Sequence, residues 1–258
     1  MTIDHSNTTI IIPRRGINDE GKGKKHALYR LISAAQTAYV WLQDDDVIIH
    51  SPLAAGHTLP DSDLLILPLR MESESDTPTL LERLQIAEYA AIQQLTIQSA
   101  QQGRPIMCSG ANMIVNRVRW LESYPDLHPT IPSGDDMFLL ESFKRRALRI
   151  TAVDSEEMTA IVRPQTSWRA FLRQRMRWAG KAPNYTDQDI LHSGSIILIA
   201  NILQLFFPLV ILIKFPLEYH LIRKRDRSIK IGIVLLLELL YPFYILLCLI
   251  GGLFRKEW

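Results

Sequence analysis

The sequence predicts an α/β domain followed by helices that cross a membrane. Short apolar runs of strand-like composition alternate with amphipathic helical runs in the N-terminal part of the 258 residues. Further along, residues 190–213 and 231–254 form apolar runs, each longer than the about 20 residues that a bilayer-spanning helix needs. The chain therefore has room for one domain of about 190 residues with a membrane region behind it.

Each element is predicted from its local pattern. Strands are expected where β-branched or compact apolar runs end at turn signals, at residues 8–12, 39–42, 64–69, 106–108 and 148–153. Helices are expected at residues 26–38, 79–99 and 137–146, and the second opens with Thr79 and Glu82, which fit a capping box. Because strands and helices alternate, we expect a largely parallel sheet.

Charge and cysteine content narrow the function classes. The net charge is +2, so charge alone argues neither for nor against a polyanionic partner. No nucleic-acid partner is expected for this chain. Cys108 lies in the soluble part and Cys248 in an apolar run, so no disulfide framework is indicated and a reducing cytosol suits the domain. The polar N-terminus shows no signal-peptide pattern.

Three consecutive acids, Asp44, Asp45 and Asp46, follow a predicted buried strand. Ligands of α/β sheets bind beyond the carboxyl ends of strands, so these carboxylates stand where a site is expected. Their oxygens suit Mg²⁺ or Mn²⁺ bound to substrate phosphates. A solvated turn or a helix cap is the alternative, and the triplet taken alone favours it.

The segment from Gly16 to Gly21 and Lys22 imitates a phosphate-binding loop, because it lies between a predicted strand and a predicted helix. Gly23 stands where the hydroxyl that holds Mg²⁺ is required, so a P-loop NTPase is disfavoured. A flexible basic loop is the preferred interpretation.

Gly134, Asp135 and Asp136 form a second acidic motif. One aspartate can cap the helix that follows, where it accepts hydrogen bonds from free amides and favours the helix dipole. That role does not require both acids, and a second carboxylate in the same cleft could act as a general base on a hydroxyl nucleophile. The motif alone supports the two roles equally.

Gln174, Arg177 and Trp178 lie at positions i, i+3 and i+4 of a predicted helix, so they share one face. An arginine offers two parallel hydrogen bonds to a diphosphate, and a tryptophan face suits a sugar ring or the lipid headgroup boundary. A basic amphipathic helix lying on anionic lipid explains the same segment, and the two interpretations are compatible.

The two apolar runs favour a membrane. Residues 190–213 contain no Asp, Glu, Lys or Arg, whereas Glu238 interrupts the second run and is expected to face another helix or a polar cavity. With two simple spans, the basic loop at residues 223–230 would lie outside, against the positive-inside tendency. Because Pro208 divides the first apolar stretch, we prefer a kinked or hairpin arrangement that returns this loop to the cytoplasm.

Together these motifs resemble the family 2 glycosyltransferases, in the membrane-bound branch that carries a QxxRW motif and includes bacterial cellulose and hyaluronan synthases. The resemblance runs from Thr8 to the C-terminus. The matching segments stand in the family's order and read GKGKKHAL at 21–28, QDDD at 43–46, CSGAN at 108–112 before Arg117, GDDMFL at 134–139 and FLRQRMRWAGK at 171–181.

The resemblance implies an incomplete GT-A-like (Rossmann-like) domain over residues 1–165, an amphipathic interface helix and linker over 166–189, and a membrane region of about two spans over 190–258. It implies Asp136 as the catalytic base and Asp44 and Asp46 as ligands of Mg²⁺ or Mn²⁺. The residues that it assigns to donor or acceptor binding are Asp44, Asp135, Gly110, Asn112, Gln174, Arg177 and Trp178.

The implied activity is inverting transfer of a sugar from a nucleotide-diphosphate sugar to a hydroxyl of a glycan or lipid-linked acceptor. The implied location is a bacterial-type inner membrane, with a multi-pass chain in contact with membrane lipids and a cytoplasmic catalytic domain.

Members of the family begin with a strand–helix–strand unit that carries the first uracil contacts. The sequence upstream of Thr8 does not supply this unit, so we expect a chain that lacks the N-terminal part of the catalytic domain. The alternative function is therefore a catalytically inactive remnant that acts as a membrane-associated interaction protein. Metal-dependent binding of a sugar nucleotide would separate the two.

Overall fold

The computed structural model describes residues 3–14, 23–49, 58–128, 131 and 133–253. The strands are β1 (Thr8–Ile11), β2 (Tyr39–Gln43), β3 (Ile48–Ile49), β4 (Leu64–Ile66), β5 (Leu69–Met71), β6 (Asn112–Asn116), β7 (Ile150–Ala152) and β8 (Ala160–Val162). The helices are α1 (Lys24–Ala34), α2 (Leu80–Gln101), α3 (Arg117–Ser123), α4 (Asp135–Arg145), α5 (Trp168–Ala179), α6 (Gln188–Phe206), α7 (Ile211–Arg225) and α8 (Ile231–Leu253).

The chain forms two compact units. The first comprises Met1–Leu69 and Thr96–Val162, and the second comprises Arg70–Leu95 and Arg163–Trp258. Helix α2 therefore contributes its first part to the second unit and its last turns to the first. The three-part division drawn from the sequence stays a prediction.

The main sheet of the first unit is mixed, with strand order β1-β2-β6-β4-β7. The pairs β1–β2 and β4–β7 are parallel, but β6 runs antiparallel to both of its neighbours. Four of the five strands, β1, β2, β4 and β7, therefore run in one direction, so the prediction of a largely parallel sheet is confirmed with β6 as the exception. The strand expected at residues 106–108 does not form, and β6 begins only after the chain has turned at Gly110.

The remaining predicted strands form close to their expected bounds, with one division. The run at residues 64–69 becomes β4 and β5, with Pro68 between them. Proline has no N–H to continue a strand ladder, so the break falls beside it. The carbonyl of Pro68 instead accepts from Ala160 N of β8, at 3.0 Å, and β8 also pairs with β3 in a second, small sheet.

The core of the first unit lies against the middle of the main sheet. All five residues of β2 are buried, and Trp41 lies opposite Ile114 of β6. The buried residues packed together here are Ile3, Tyr39, Trp41, Leu59, Leu65, Leu67, Ile114 and Met158. A strand buried on both faces reads as a continuous apolar run, which is why the sequence predicted β2 well.

The second unit is helical around α2, α7 and α8. Its buried apolar cluster comprises Leu84, Ala87, Ala90, Ile222, Ile229, Val234 and Leu237. Helix α8 also packs closely against the end of α5, because a Cβ added at Gly252 would lie 2.8 Å from Gly180 N and 2.9 Å from Met176 O. Only glycine at that position allows so close an approach.

In the part of the chain that the structure describes, two helices are long and apolar enough to cross a membrane, as far as length and composition go: Gln188–Phe206 and Ile231–Gly252. The expected interruption at Pro208 is confirmed, since α6 ends at Phe206 and a short 3₁₀ helix, Pro208–Val210, precedes α7. Lys214 of α7 donates to Asn201 and Gln204 of α6, both at 2.8 Å, so the chain bends back after the break.

Candidate active site

Acidic side chains of the first unit gather around one ammonium group. Lys24, the first residue of α1, lies 2.6 Å from Asp44 Oδ1 and 3.3 Å from Asp135 Oδ2. Asp44 follows β2, and Asp135 and Asp136 open α4. We call Lys24, Asp44, Asp135 and Asp136 the acidic cluster. The structure thus brings together two of the acidic motifs that the sequence analysis singled out.

Local backbone geometry places the two aspartates of α4. Gly134 adopts the left-handed region, with φ of 84°, and provides the cap residue of the helix without a side-chain bond. Side chains other than glycine are strained there, by about 1–2 kcal/mol. With Gly134 as the turn, Asp135 and Asp136 occupy the first turn of α4, where the helix dipole favours negative charge.

Asp136 is the better candidate for a base, because this residue is only partly buried whereas Asp135 is 6% exposed. The Asp136 carboxylate accepts from Met137 N at 2.8 Å and from Gly110 N at 3.4 Å. Cys108 donates to the main-chain oxygen of Asp136 at 3.2 Å, which connects the segment before β6 to the first turn of α4.

Gly110 lies against the acidic cluster. A Cβ at this position would lie 3.2 Å from Asp135 Oδ2 and 3.3 Å from Lys24 Nζ, which is tighter than ordinary van der Waals contact. The glycine of the CSGAN segment therefore leaves space for the lysine and the aspartates. Gly110 was predicted to line the donor and acceptor cleft, and the structure puts it beside the predicted catalytic acid.

Asn112 lies elsewhere and has a different role. Its side chain is 1% exposed, accepts from Trp41 Nε1 at 2.8 Å and donates to Pro68 O at 2.9 Å and Met158 O at 2.8 Å. These bonds engage both ends of the amide, so no part of it is turned towards a ligand. The assignment of Asn112 to donor or acceptor binding is corrected to a core residue that joins β2, the Pro68 turn and the β8 region.

Replacing Asn112 by alanine is expected to lower the free energy of unfolding by about 3 kcal/mol, since three buried polar partners lose their bonds at once. The measurement is chemical unfolding followed by the near-ultraviolet circular dichroism of tryptophan. A variant with native stability and a specific loss of ligand affinity would contradict this role.

The acidic residues as arranged do not fit a divalent metal ion. The carboxylate of Asp44 is already engaged by Lys24, and Asp46 is exposed on the turn after β2. Within the described residues, no three His, Cys, Asp or Glu side chains converge in a way that could hold a metal. The assignment of Mg²⁺ or Mn²⁺ to Asp44 and Asp46 therefore has no support from the geometry.

The electrostatics of the cluster follow from burial and proximity. Burial alone would lower the pKa of Lys24, but Asp135, Asp44 and Asp136 outweigh it and raise that pKa above its usual range. Burial, reinforced by Asp136 and Asp135, raises the pKa of the Cys108 thiol well above its ordinary value. Lys24 is thus a permanent cation, and Cys108 is a protonated thiol rather than a nucleophile.

Lys25 was missed by the sequence analysis. It is 3% exposed and donates to the carbonyls of Leu127 at 2.5 Å, His128 at 3.0 Å and Ile131 at 2.8 Å. Its ammonium also lies 4.9 Å from the ring centroid of Phe138 on α4. Lys25 therefore contacts the chain both before Gly134, through the three carbonyls, and after it, through the ring of Phe138. The only signal in the sequence was that Lys25 is the last of the three lysines in the GKGKK run.

The basic helix α5 belongs to the second unit, and its central residue is Arg175 rather than a predicted one. Arg175 is 4% exposed and pairs with buried Glu88 of α2 at 2.7 Å. Its guanidinium lies 4.1 Å from the ring centroid of Trp178 and donates to Gln174 Oε1 at 3.2 Å. A glutamate among the apolar residues of one α2 face was the available signal for this buried pair.

Arg177 differs from Arg175. Within the residues that the structure describes, no hydrogen bond or ion pair engages its guanidinium, and its side chain is partly exposed. Gln174 and Trp178 lie around Arg175, so the three predicted residues of this helix do not form one contact group. The glycine-lysine loop before α1, which imitates a P-loop, lies mostly outside the described residues.

Comparison with known proteins assigns the family. A family model described as "Glycosyltransferase like family 2" matches residues 6–181, which covers the acidic cluster and the basic helix. No curated protein matches the chain. Since the family model covers more than half of the 258 residues, the chain belongs to the family 2-like glycosyltransferases.

Proposed function

We propose that the chain is a membrane-bound inverting glycosyltransferase that moves a sugar from a nucleotide-diphosphate sugar to a hydroxyl of a glycan or lipid-linked acceptor. Family membership supports the glycosyltransferase activity in general. The observation that carries the finer proposal is the partly exposed residue Asp136, which lies in the first turn of α4 beside Gly110 and near the Lys24 ammonium.

The proposed reaction is a single displacement. The Asp136 carboxylate takes the proton of the acceptor hydroxyl while that oxygen forms a bond to the anomeric carbon. The bond from the anomeric carbon to the phosphate oxygen breaks, and its electron pair leaves with the nucleoside diphosphate. Attack from the face opposite the leaving group inverts the anomeric configuration.

Two groups of α5 are proposed for ligand binding. The Arg177 guanidinium, which has no partner among the described side chains, suits a diphosphate, whose negative charge grows as the bond breaks. The ring of Trp178 suits the apolar face of an acceptor sugar, and Arg175 fixes the orientation of that ring at 4.1 Å. Gln174 is proposed to assist through hydrogen bonds.

Membrane association is proposed through α6 and α8, whose length and apolar composition suit a bilayer. The bend after α6 supports the hairpin interpretation, in which the basic residues Arg223, Lys224 and Arg225 at the end of α7 face the cytoplasm. On this proposal the catalytic unit is also cytoplasmic, at a bacterial-type inner membrane.

Binding of UDP-sugars to the detergent-purified chain tests the proposal. We expect saturable binding with a dissociation constant of about 1 μM–1 mM, in the range of ordinary enzyme substrates, and release of UDP when an acceptor is added. ATP serves as the control nucleotide. If neither a UDP-sugar nor another nucleotide-diphosphate sugar binds, the proposal is wrong and the membrane-associated interaction protein becomes the better function.

A further inference from the structure

We propose that Lys24 is the resident cation of the acidic cluster and that it keeps a divalent metal ion out of that cluster. The inference rests on the proposed function, because a role of Lys24 in sugar transfer requires that the chain is a glycosyltransferase. It differs from the expectation for the family, whose members typically depend on a divalent metal.

The position of the Lys24 ammonium is the first step. It lies between a carboxylate that follows β2 and a carboxylate that opens α4, at 2.6 Å from Asp44 and 3.3 Å from Asp135. The contact with Asp44 is a hydrogen-bonded ion pair, and the contact with Asp135 is a longer ion pair. One side chain from α1 thus joins the two acidic motifs through ion pairs.

The space around the ammonium is the second step. Gly110 closes one side, since even a methyl group there would come within 3.3 Å of Lys24 Nζ. A metal ion bound to Asp44 would therefore have to share the carboxylate with an ammonium group that already touches it. Two cations at that separation repel each other, so the metal enters only when the lysine leaves.

The acidic cluster contains more carboxylates than ammonium groups. Asp44, Asp135 and Asp136 face a single lysine, and the side chains of Lys24 and Asp44 are 32% and 34% exposed. The cluster is therefore rich in carboxylates and reachable from solvent. Removing the ammonium would leave the carboxylates of Asp44 and Asp135 as neighbours without a cation between them, and carboxylate oxygens are ligands that Mn²⁺ prefers.

The test is Mn²⁺ binding to the full chain in detergent, without nucleotide, followed by the electron paramagnetic resonance signal of the free ion. Lys24→Met, which keeps the length of the side chain and removes its charge, is expected to bind Mn²⁺ at least about tenfold more tightly than the wild type. Lys24→Arg keeps the charge and is expected to match the wild type. Lys144→Met, whose lysine bonds to Pro105 O outside the cluster, is the matched control.

A double variant locates the new site, since adding Asp44→Asn to Lys24→Met is expected to abolish the gain. Equal Mn²⁺ affinity of wild type and Lys24→Met would overturn the inference, and so would tight binding by the wild type that Asp44→Asn removes. If Lys24→Met does not fold, as judged by circular dichroism, Lys24→Gln provides the same comparison. Failure of every nucleotide-diphosphate sugar to bind would overturn the proposed function and leave the Mn²⁺ comparison to decide this one.

Discussion

Replacing Asp136 by asparagine is expected to abolish sugar transfer while binding of the nucleotide-diphosphate sugar persists. Asparagine keeps the shape of the side chain, and its one amide oxygen can still accept from Met137 N, which lies 2.8 Å from Oδ1. The amide nitrogen then replaces Oδ2, which accepts the weaker bond from Gly110 N at 3.4 Å. It cannot take a proton from an acceptor hydroxyl, and a positioned base contributes about 10²–10⁴-fold to such a reaction. The measurement is kcat for transfer, together with the donor affinity by titration calorimetry.

Asp135, the residue before Asp136, provides a direct comparison for the effect of losing a carboxylate on sugar transfer. Asp135 is buried and held by Lys24 at 3.3 Å, so Asp135→Asn is expected to weaken the acidic cluster rather than remove the base. Glu122→Gln, an exposed acid of α3 that pairs with Arg119, is the control for a change of charge on this unit. If Asp135→Asn abolished transfer and Asp136→Asn retained it, the two roles would be exchanged.

Local sequence patterns predicted the elements better than the sheet. The run from Tyr39 to Leu42 is continuously apolar, and β2 forms there with every residue buried. The strand β6 escaped prediction because its apolar centre, Met113 to Val115, is short and flanked by asparagines. Its antiparallel direction depends on pairing with β2 and β4, which no local propensity encodes.

The candidate site divides in the same way. Sequence motifs predicted Asp44, Asp135, Asp136 and Gly110 as site residues, because each of them stands in a short segment that can be recognised without the tertiary fold. Asn112 has its partners in three distant segments, so its core role could not be derived from the five residues of CSGAN.

The two lysines that begin α1 show a second limit of prediction from sequence, because their partners depend on the tertiary fold. Lys24 and Lys25 belong to a basic segment in the sequence. Only the tertiary fold brings the first to Asp44 and the second to the carbonyls of Leu127, His128 and Ile131. A basic residue in a loop carries no indication of which acids or carbonyls the fold will bring to it.

Within α5, two arginines two residues apart are expected to lose very different amounts of stability on the same substitution. Arg175→Met leaves the Glu88 carboxylate buried without its cation, and breaking a buried pair by removing one partner costs about 3–5 kcal/mol. Arg177→Met removes a guanidinium with no partner among the described residues, and such changes stay within about 0.5 kcal/mol. Thermal unfolding in detergent measures the stability of both variants, and transfer kinetics of Arg177→Met test the proposed contact of Arg177 with the diphosphate.

The double variant Arg175→Met with Glu88→Met separates the ion pair from the packing around it. Replacing both partners of a buried pair by apolar side chains of similar volume is often neutral, so most of the lost stability is expected to return. Tyr244 donates to Glu88 at 3.0 Å, and its hydroxyl loses that acceptor in the double variant, so recovery is expected to be incomplete. If Arg175→Met were as stable as the wild type, the buried pair would not hold α5 to α2. If Arg177→Met were the unstable variant, the structural and ligand-binding roles within this helix would be reversed.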